Sequence, residues 1–190
     1  MRWVKDMNVF YYFRKVISYA ENRIDPIKYG RKIGAKIGSN NTILKPIWGT
    51  EPYLIEIGDN NLISFDVCFL NHDGATHVVN AYVGHENDNK FGKIKIGSNC
   101  FIGCRCTILP NVEIGDNSIL GAHSLLTKSI PSGEVWGGVP AHFITTVDEF
   151  VRKCGVSDFN VDLRNKTASK RECIIEHFEQ LEKKKNGTEV

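Results

Sequence analysis

A chain of 190 residues, 42% of them hydrophobic and 24% charged, is sized for one soluble globular domain with terminal additions. A formal net charge of +2 gives no support for a nucleic-acid role, which normally needs a dense basic patch, and no apolar run approaches the roughly 20 residues needed to span a bilayer. Lys5, Asp6, Arg14 and Lys15 interrupt any candidate signal-peptide core, so the chain reads as cytoplasmic, with its six cysteines reduced and no metal expected.

Over residues 1–24, Val4, Met7, Tyr11 and Ile17 fall at near-helical spacing with Arg14 and Lys15 off that line, which predicts an amphipathic helix. Trp3 and the basic neighbours would suit a membrane surface. A helix of this kind more commonly caps a repeat stack or packs on its own chain, and that is the expectation taken. Residues 1–30 are read as an N-terminal helical segment.

From residue 31 the period changes. Ile37-Gly38-Ser39-Asn40, Ile57-Gly58-Asp59-Asn60, Ile96-Gly97-Ser98-Asn99 and Ile114-Gly115-Asp116-Asn117 are near-copies, and Ile96, Ile102, Ile108, Ile114, Leu120 and Leu126 fall six apart without a break. Aliphatic-Gly-polar-Asn is a strand end entering a tight corner, where Gly and Asn tolerate positive φ. A period of six suits short strands joined by corners, three hexads to a triangular coil. The expected fold class is therefore mainly β, a parallel β-helix of hexapeptide repeats over residues 31–146. The offsets locate its irregularities. Ile96 to Ile114 is 18 residues, one regular coil, whereas Ile37 to Ile57 is 20, with about two extra residues around 49–52. Ile57 to Ile96 is 39, which leaves 21 residues of excursion within 70–94. A loop of that length in a compact repeat fold is usually functional.

Residues 147–190 read as a C-terminal helical segment. A short helix is expected over 148–154 and another over 170–185, where Ile174, Phe178 and Leu181 share one face. The last few residues read as disordered.

The excursion opens Asn71-His72-Asp73-Gly74-Ala75-Thr76-His77. Acyl transfer to a hydroxyl needs a general base that works near neutral pH, and histidine supplies one most readily. His72 sits at the edge of the regular coil, where a rigid strand can hold it, with His77 and His85 as rivals deeper in the loop. Cys100, Cys104 and Cys106 cluster without paired Cys-x-x-Cys spacing and read as small core residues.

The repeat, the histidine-bearing excursion and the ending Gly137-Gly138-Val139-Pro140-Ala141 together resemble the hexapeptide acyltransferases over about residues 30–146. Within that superfamily the chain is similar to bacterial capsule and lipopolysaccharide sugar O-acetyltransferases and to the galactoside, maltose and xenobiotic acetyltransferases. The resemblance implies a left-handed coil and a homotrimer with active sites between neighbouring subunits. It also implies acetyl-coenzyme A as co-substrate and a sugar hydroxyl of a capsule or O-antigen as acceptor. It makes His72 the base, with Asn71 and Asp73 contacting the acceptor or orienting the ring, and Phe101 walling the acetyl site. On the donor side, the stretch from Ile119 to Pro131 matches the family's late coil. Gly121 and the Ala122 backbone would meet the pantetheine arm, and Thr127 and Lys128 the phosphate end. Gly138, Pro140 and Ala141 would form the turn beside the adenine, and the main chain at Cys104 would face the thioester carbonyl. Cys104 departs from the serine often found in the family, which leaves only a backbone role there. An amino group on a nucleotide-linked sugar is the alternative acceptor. Two further alternatives are a zinc enzyme similar to the γ-class carbonic anhydrases, using His72, His77 and His123, and a silent trimer that organises other proteins.

Overall fold

The structure, a computed structural model, describes residues 9–84, 89–154, 161 and 169–185, with the backbone alone at 9–11 and 185. It divides into two compact units, Met1–Val147 and Asp148–Val190. His85 and the chain ends at 1–8 and 186–190 lie outside the described residues.

The first unit is a parallel β-coil with three faces. Face A stacks Lys36–Ile37, Ile55–Ile57, Ile94–Ile96 and Val112–Ile114. Face B stacks Thr42–Ile43, Leu62–Ile63, Phe101–Ile102, Ile119–Leu120 and Glu134–Gly138, and is closed by the antiparallel strand Ala141–Thr146. Face C stacks Cys68–Phe69, Thr107–Ile108 and Leu125–Leu126, with Ile47 bridging Cys68 from below. The motif copies align in register, Ile37 on Ile57, Ile57 on Ile96 and Ile96 on Ile114. Each face sends its aliphatic residues inward. Ile55, Ile63, Ile94, Ile102, Ile108 and Ile114 are fully buried, each contributing about 1.5–3 kcal/mol by leaving water.

The two residue types of the corner motif do different jobs. Asn40, Asn60, Asn99 and Asn117 take the positive φ between faces A and B, at 55° to 59°. None of the motif glycines does, contrary to the shared role expected from the sequence. They sit where successive coils touch: a Cβ on Gly97 would come within 2.3 Å of Asp116 Oδ1. Between faces B and C the same left-handed backbone falls on Lys45, Asp66, Arg105 and His123.

The insertions fall at the remaining edge, between faces C and A. In the first coil Ile47 to Ile57 is ten residues where Thr107 to Ile114 is seven, and the surplus includes the 3-10 turn Pro52–Leu54. The preceding corner is one residue short, so the net excess is the expected two. In the second coil the excursion forms a small hairpin, His72–Asp73 against Lys90–Phe91, around the helix Thr76–Val83.

At the start of the described chain lie α1 (Val9–Ile24) and α2 (Pro26–Lys32). Of the apolar line expected to cap the stack or pack on its own chain, Val4, Met7 and the Tyr11 side chain lie outside the described residues, and Ile17 is exposed. α2 packs under the first coil: Gly30 lies against Trp48, and Ile27, Tyr29 and Ile33 join the core. α1 touches the coil through a polar residue, Asn22, whose Nδ2 donates to Pro46 O at 2.9 Å and whose Oδ1 accepts from Trp48 Nε1 at 2.9 Å. Its described apolar side chains, from Tyr12 to Ile24, are exposed. The second unit holds a helix over Val147–Cys154, which begins at the boundary, and another over Lys170–Lys185.

Candidate active site

Both insertions leave the same edge in successive coils, so the 49–54 loop lies directly beneath the first residues of the excursion. This stacking assembles a polar cluster. His72 Nδ1 is 3.1 Å from Glu51 Oε2 and 3.0 Å from Thr50 Oγ1, and the Thr50 hydroxyl donates to Glu51 Oε2 at 2.6 Å. With the hydroxyl proton directed at the carboxylate, Nδ1 is left to donate, which makes Nε2 the accepting nitrogen of the ring. The Glu51 side chain is 15% exposed and that of His72 37%, so the carboxylate is the more enclosed partner.

The backbone beneath the pair is held tightly. Gly92 N donates to Asn71 O at 2.9 Å, which closes the neck of the excursion. Asn71 is fully buried, and its Nδ2 donates to Glu51 O at 2.5 Å. Its side chain therefore braces the lower loop and is not presented to a cleft. Gly49, at φ +72°, is the residue that permits this contact: a Cβ there would lie 2.6 Å from both Asn71 Oδ1 and Phe69 O. Asp73 Oδ1 accepts from Ala75 N at 2.9 Å and starts the turn into the excursion helix. Sequence reasoning missed Thr50 and Glu51. The signal for them was the two-residue surplus at 49–52, in the coil below a histidine.

The other candidate residues divide between two edges. Thr127 and Lys128 are exposed on the same edge as His72, two coils above it, or roughly 10 Å along the axis at the usual strand spacing. Cys104, Gly121 and Ala122 belong to the edge between faces B and C. There Gly103 packs so closely that a Cβ would meet Ala122 N at 2.3 Å, and His123 N donates to Cys104 O at 2.8 Å. Gly138 N donates to Ser124 Oγ at 3.1 Å, and the chain reverses through Val139 and Pro140 to Ala141, which is buried. Phe101 is 40% exposed on face B, beside Leu62 at 44%. Within one chain the width of face C separates this second group from His72.

His77 lies exposed on the excursion helix, and His123 is a corner residue of the opposite edge. One chain therefore does not gather His72, His77 and His123, and among the described residues no three His, Cys, Asp or Glu groups converge. Burial pushes the thiols of Cys68, Cys100 and Cys106 above their ordinary value, which disfavours the nucleophilic thiolate. Cys100 and Cys106 are core residues that donate to Gly115 O and Gly121 O.

The family model described as bacterial transferase hexapeptide (six repeats) matches residues 93–128. The chain is 39% identical to protein CapG of Staphylococcus aureus over 126 residues, covering 65% of this chain and 72% of that protein. It is 35% identical to the galactoside O-acetyltransferase of Escherichia coli (strain K12) over 117 residues, covering 59% of this chain and 54% of that enzyme. It thus spans about half the length of the second relative. Among solved structures, a hexapeptide-repeat-containing acetyltransferase from Vibrio cholerae O1 biovar eltor, complexed with acetyl-coenzyme A, matches with a TM-score of 0.56. That match has 18% identity and covers 70% of this chain and 85% of that one. A maltose O-acetyltransferase from Clostridium difficile 630 matches with a TM-score of 0.51 and 22% identity, covering 71% of this chain and 84% of that one. At such identities the likeness is one of fold.

Proposed function

The chain belongs to the hexapeptide-repeat bacterial transferases, and on that premise we propose that it moves the acetyl group of acetyl-coenzyme A to a sugar hydroxyl of a capsule, O-antigen or related saccharide. The observation that carries the chemistry is the His72–Thr50–Glu51 cluster at the neck of the excursion. The donor follows from the acetyltransferase relatives, and the hydroxyl acceptor from the galactoside O-acetyltransferase among them.

In this reading His72 Nε2 takes the proton of the acceptor hydroxyl as that oxygen bonds to the thioester carbonyl carbon. Glu51 accepts from Nδ1–H and stabilises the imidazolium that forms. A main-chain amide near Cys104 steadies the tetrahedral oxyanion, an interaction worth about 10²–10³ in rate at comparable sites. The carbon–sulfur bond then breaks, and His72 returns its proton to the coenzyme A sulfur. Gly121, Ala122, Gly138, Pro140 and Ala141 would line the pantetheine and adenine, and Lys128 with Thr127 would meet phosphate. Asp73 and Phe101 would border the acceptor.

This chemistry needs both edges of face C at one site. Copies assembled side by side supply that, the His72 edge of one facing the Ala122 edge of the next. We therefore take the active form to be a homotrimer, and the coil to be left-handed as in its relatives. Exposed Leu44, Leu62, Phe65 and Phe101 on and beside face B support such an assembly. The outer side of face A, by contrast, is a ladder of Lys36, Glu56, Lys95 and Glu113 suited to water.

The test is a screen of nucleotide sugars and oligosaccharides with acetyl-coenzyme A, reading released thiol. Hydroxylamine-labile products would mark esters, and stable ones amides on amino sugars. His72→Ala should lose turnover and keep coenzyme A binding; near wild-type turnover in that variant overturns the base assignment.

A further inference from the structure

From Tyr12 to Ile24, α1 is built inside out for a helix packed on its own chain. Phe13, Val16, Ile17 and Ile24 fall on one side of it and are 63%, 65%, 42% and 84% exposed. Asn22, nine residues after Phe13 and so half a turn away around the axis, faces the coil and holds Pro46 O and the Trp48 indole. Tyr12 and Tyr19 flank the outward stripe, each about half exposed or more. Such a stripe on a helix about 24 Å long is too large to leave in water without a partner.

Charge indicates which partner. Residues 9–32 carry six basic side chains, Arg14, Lys15, Arg23, Lys28, Arg31 and Lys32, against two acidic ones, Glu21 and Asp25. That is +4 on two short helices in a chain whose net charge is +2, so the remainder is −2. A second copy placing its own α1 on this stripe would bring the same basic groups together. An anionic lipid surface complements them and accepts the apolar stripe, as with helices that lie in the membrane interface. Among the described residues no helix is long and apolar enough to cross a membrane, so the contact is peripheral.

We propose that α1 docks this protein on an anionic lipid surface, with Phe13, Val16, Ile17 and Ile24 seated in the interface. A groove of about 590 Å³ runs from Ser18, Asn22 and Arg23 of α1 to Gly49 and Thr50, and Thr50 touches His72. Docking by α1 thus holds that groove about one helix diameter from the lipid surface, within reach of an acceptor saccharide attached to a lipid. This last step rests on the acceptor site proposed above; the docking itself does not.

The experiment is flotation of the full chain with vesicles of phosphatidylcholine alone and of phosphatidylcholine with 30% phosphatidylglycerol. Binding should be at least tenfold stronger to the anionic vesicles and should weaken at high salt. The double substitution Val16→Glu, Ile17→Glu should abolish it while leaving the mass by light scattering and the turnover of a soluble acceptor unchanged. Absence of vesicle binding by the wild-type chain overturns the proposal, as does undiminished binding by the variant. A variant of altered oligomeric mass also overturns it, because a second copy then covers the stripe. Turnover on the soluble acceptor reports separately on the proposed activity.

Discussion

Glu51 reaches His72 from one coil below, its Oε2 3.1 Å from Nδ1 although the two residues are 21 apart in sequence. In the proposed mechanism the carboxylate fixes the ring and its tautomer. Glu51→Gln keeps the shape and removes the charge, so kcat should fall roughly 10–100-fold, below the ~10²–10⁴ that a general base contributes. KM for acetyl-coenzyme A and the melting temperature should stay put. A fall in melting temperature with unchanged kcat would make the pair merely structural.

That pair also marks the limit of what the residues alone disclose. The coil is legible because a six-residue period is local: Ile96, Ile102 and Ile108 state it outright, and the 39-residue offset places the excursion. Glu51 is not legible, since its partner lies across an irregular coil boundary that only the stacking brings into contact. The polarity of α1 is hidden for another reason. The spacing singles out Val4, Met7, Tyr11 and Ile17, and it cannot show that Asn22 is the residue turned toward the coil. Spacing likewise relates Cys104 to Ala122, 18 residues on, but not either of them to His72 across face C.

Gly103 tests the stacking directly. A Cβ there would meet Ala122 N at 2.3 Å and Ala122 Cα at 2.5 Å, both backbone atoms that cannot swing aside. Gly103→Ala should therefore cost about 1–3 kcal/mol, the usual range for overpacking, and weaken coenzyme A binding through the displaced Ala122. Gly74→Ala is the control: nothing lies within 4 Å of its Cβ, so its stability should change by less than about 0.5 kcal/mol. Equal melting temperatures for the two variants would remove the close approach as an explanation for glycine at 103.

Lys128 is exposed two coils above His72 on the same edge. If it meets a phosphate of coenzyme A, Lys128→Ala forfeits a charge-assisted hydrogen bond of about 1.5–3 kcal/mol, and KM for acetyl-coenzyme A should rise at least tenfold with kcat little changed. Acetyl-dephospho-coenzyme A, which lacks the 3′-phosphate, distinguishes the contact. A variant penalised equally with both donors does not read that phosphate through Lys128.

The buried thiols give the stability a direction with pH. Burial raises the Cys100 and Cys106 thiols above the ordinary 9.0, and Cys68 is raised for the same reason. The folded chain therefore holds these protons at pH values where the unfolded chain has begun to release them. Their contribution is fully present below about pH 9 and is lost as pH rises through the raised folded values. Denaturant melts should show stability falling across that window. Lysines and tyrosines titrate there too, so the variant Cys100→Ala, Cys106→Ala isolates the thiols: it should be less stable at pH 7 through lost packing, yet fall less steeply above pH 9. The comparison is of slopes, which packing does not alter. An unchanged slope would assign the alkaline loss to other groups, and rapid alkylation of Cys100 or Cys106 in the native protein would contradict their burial outright.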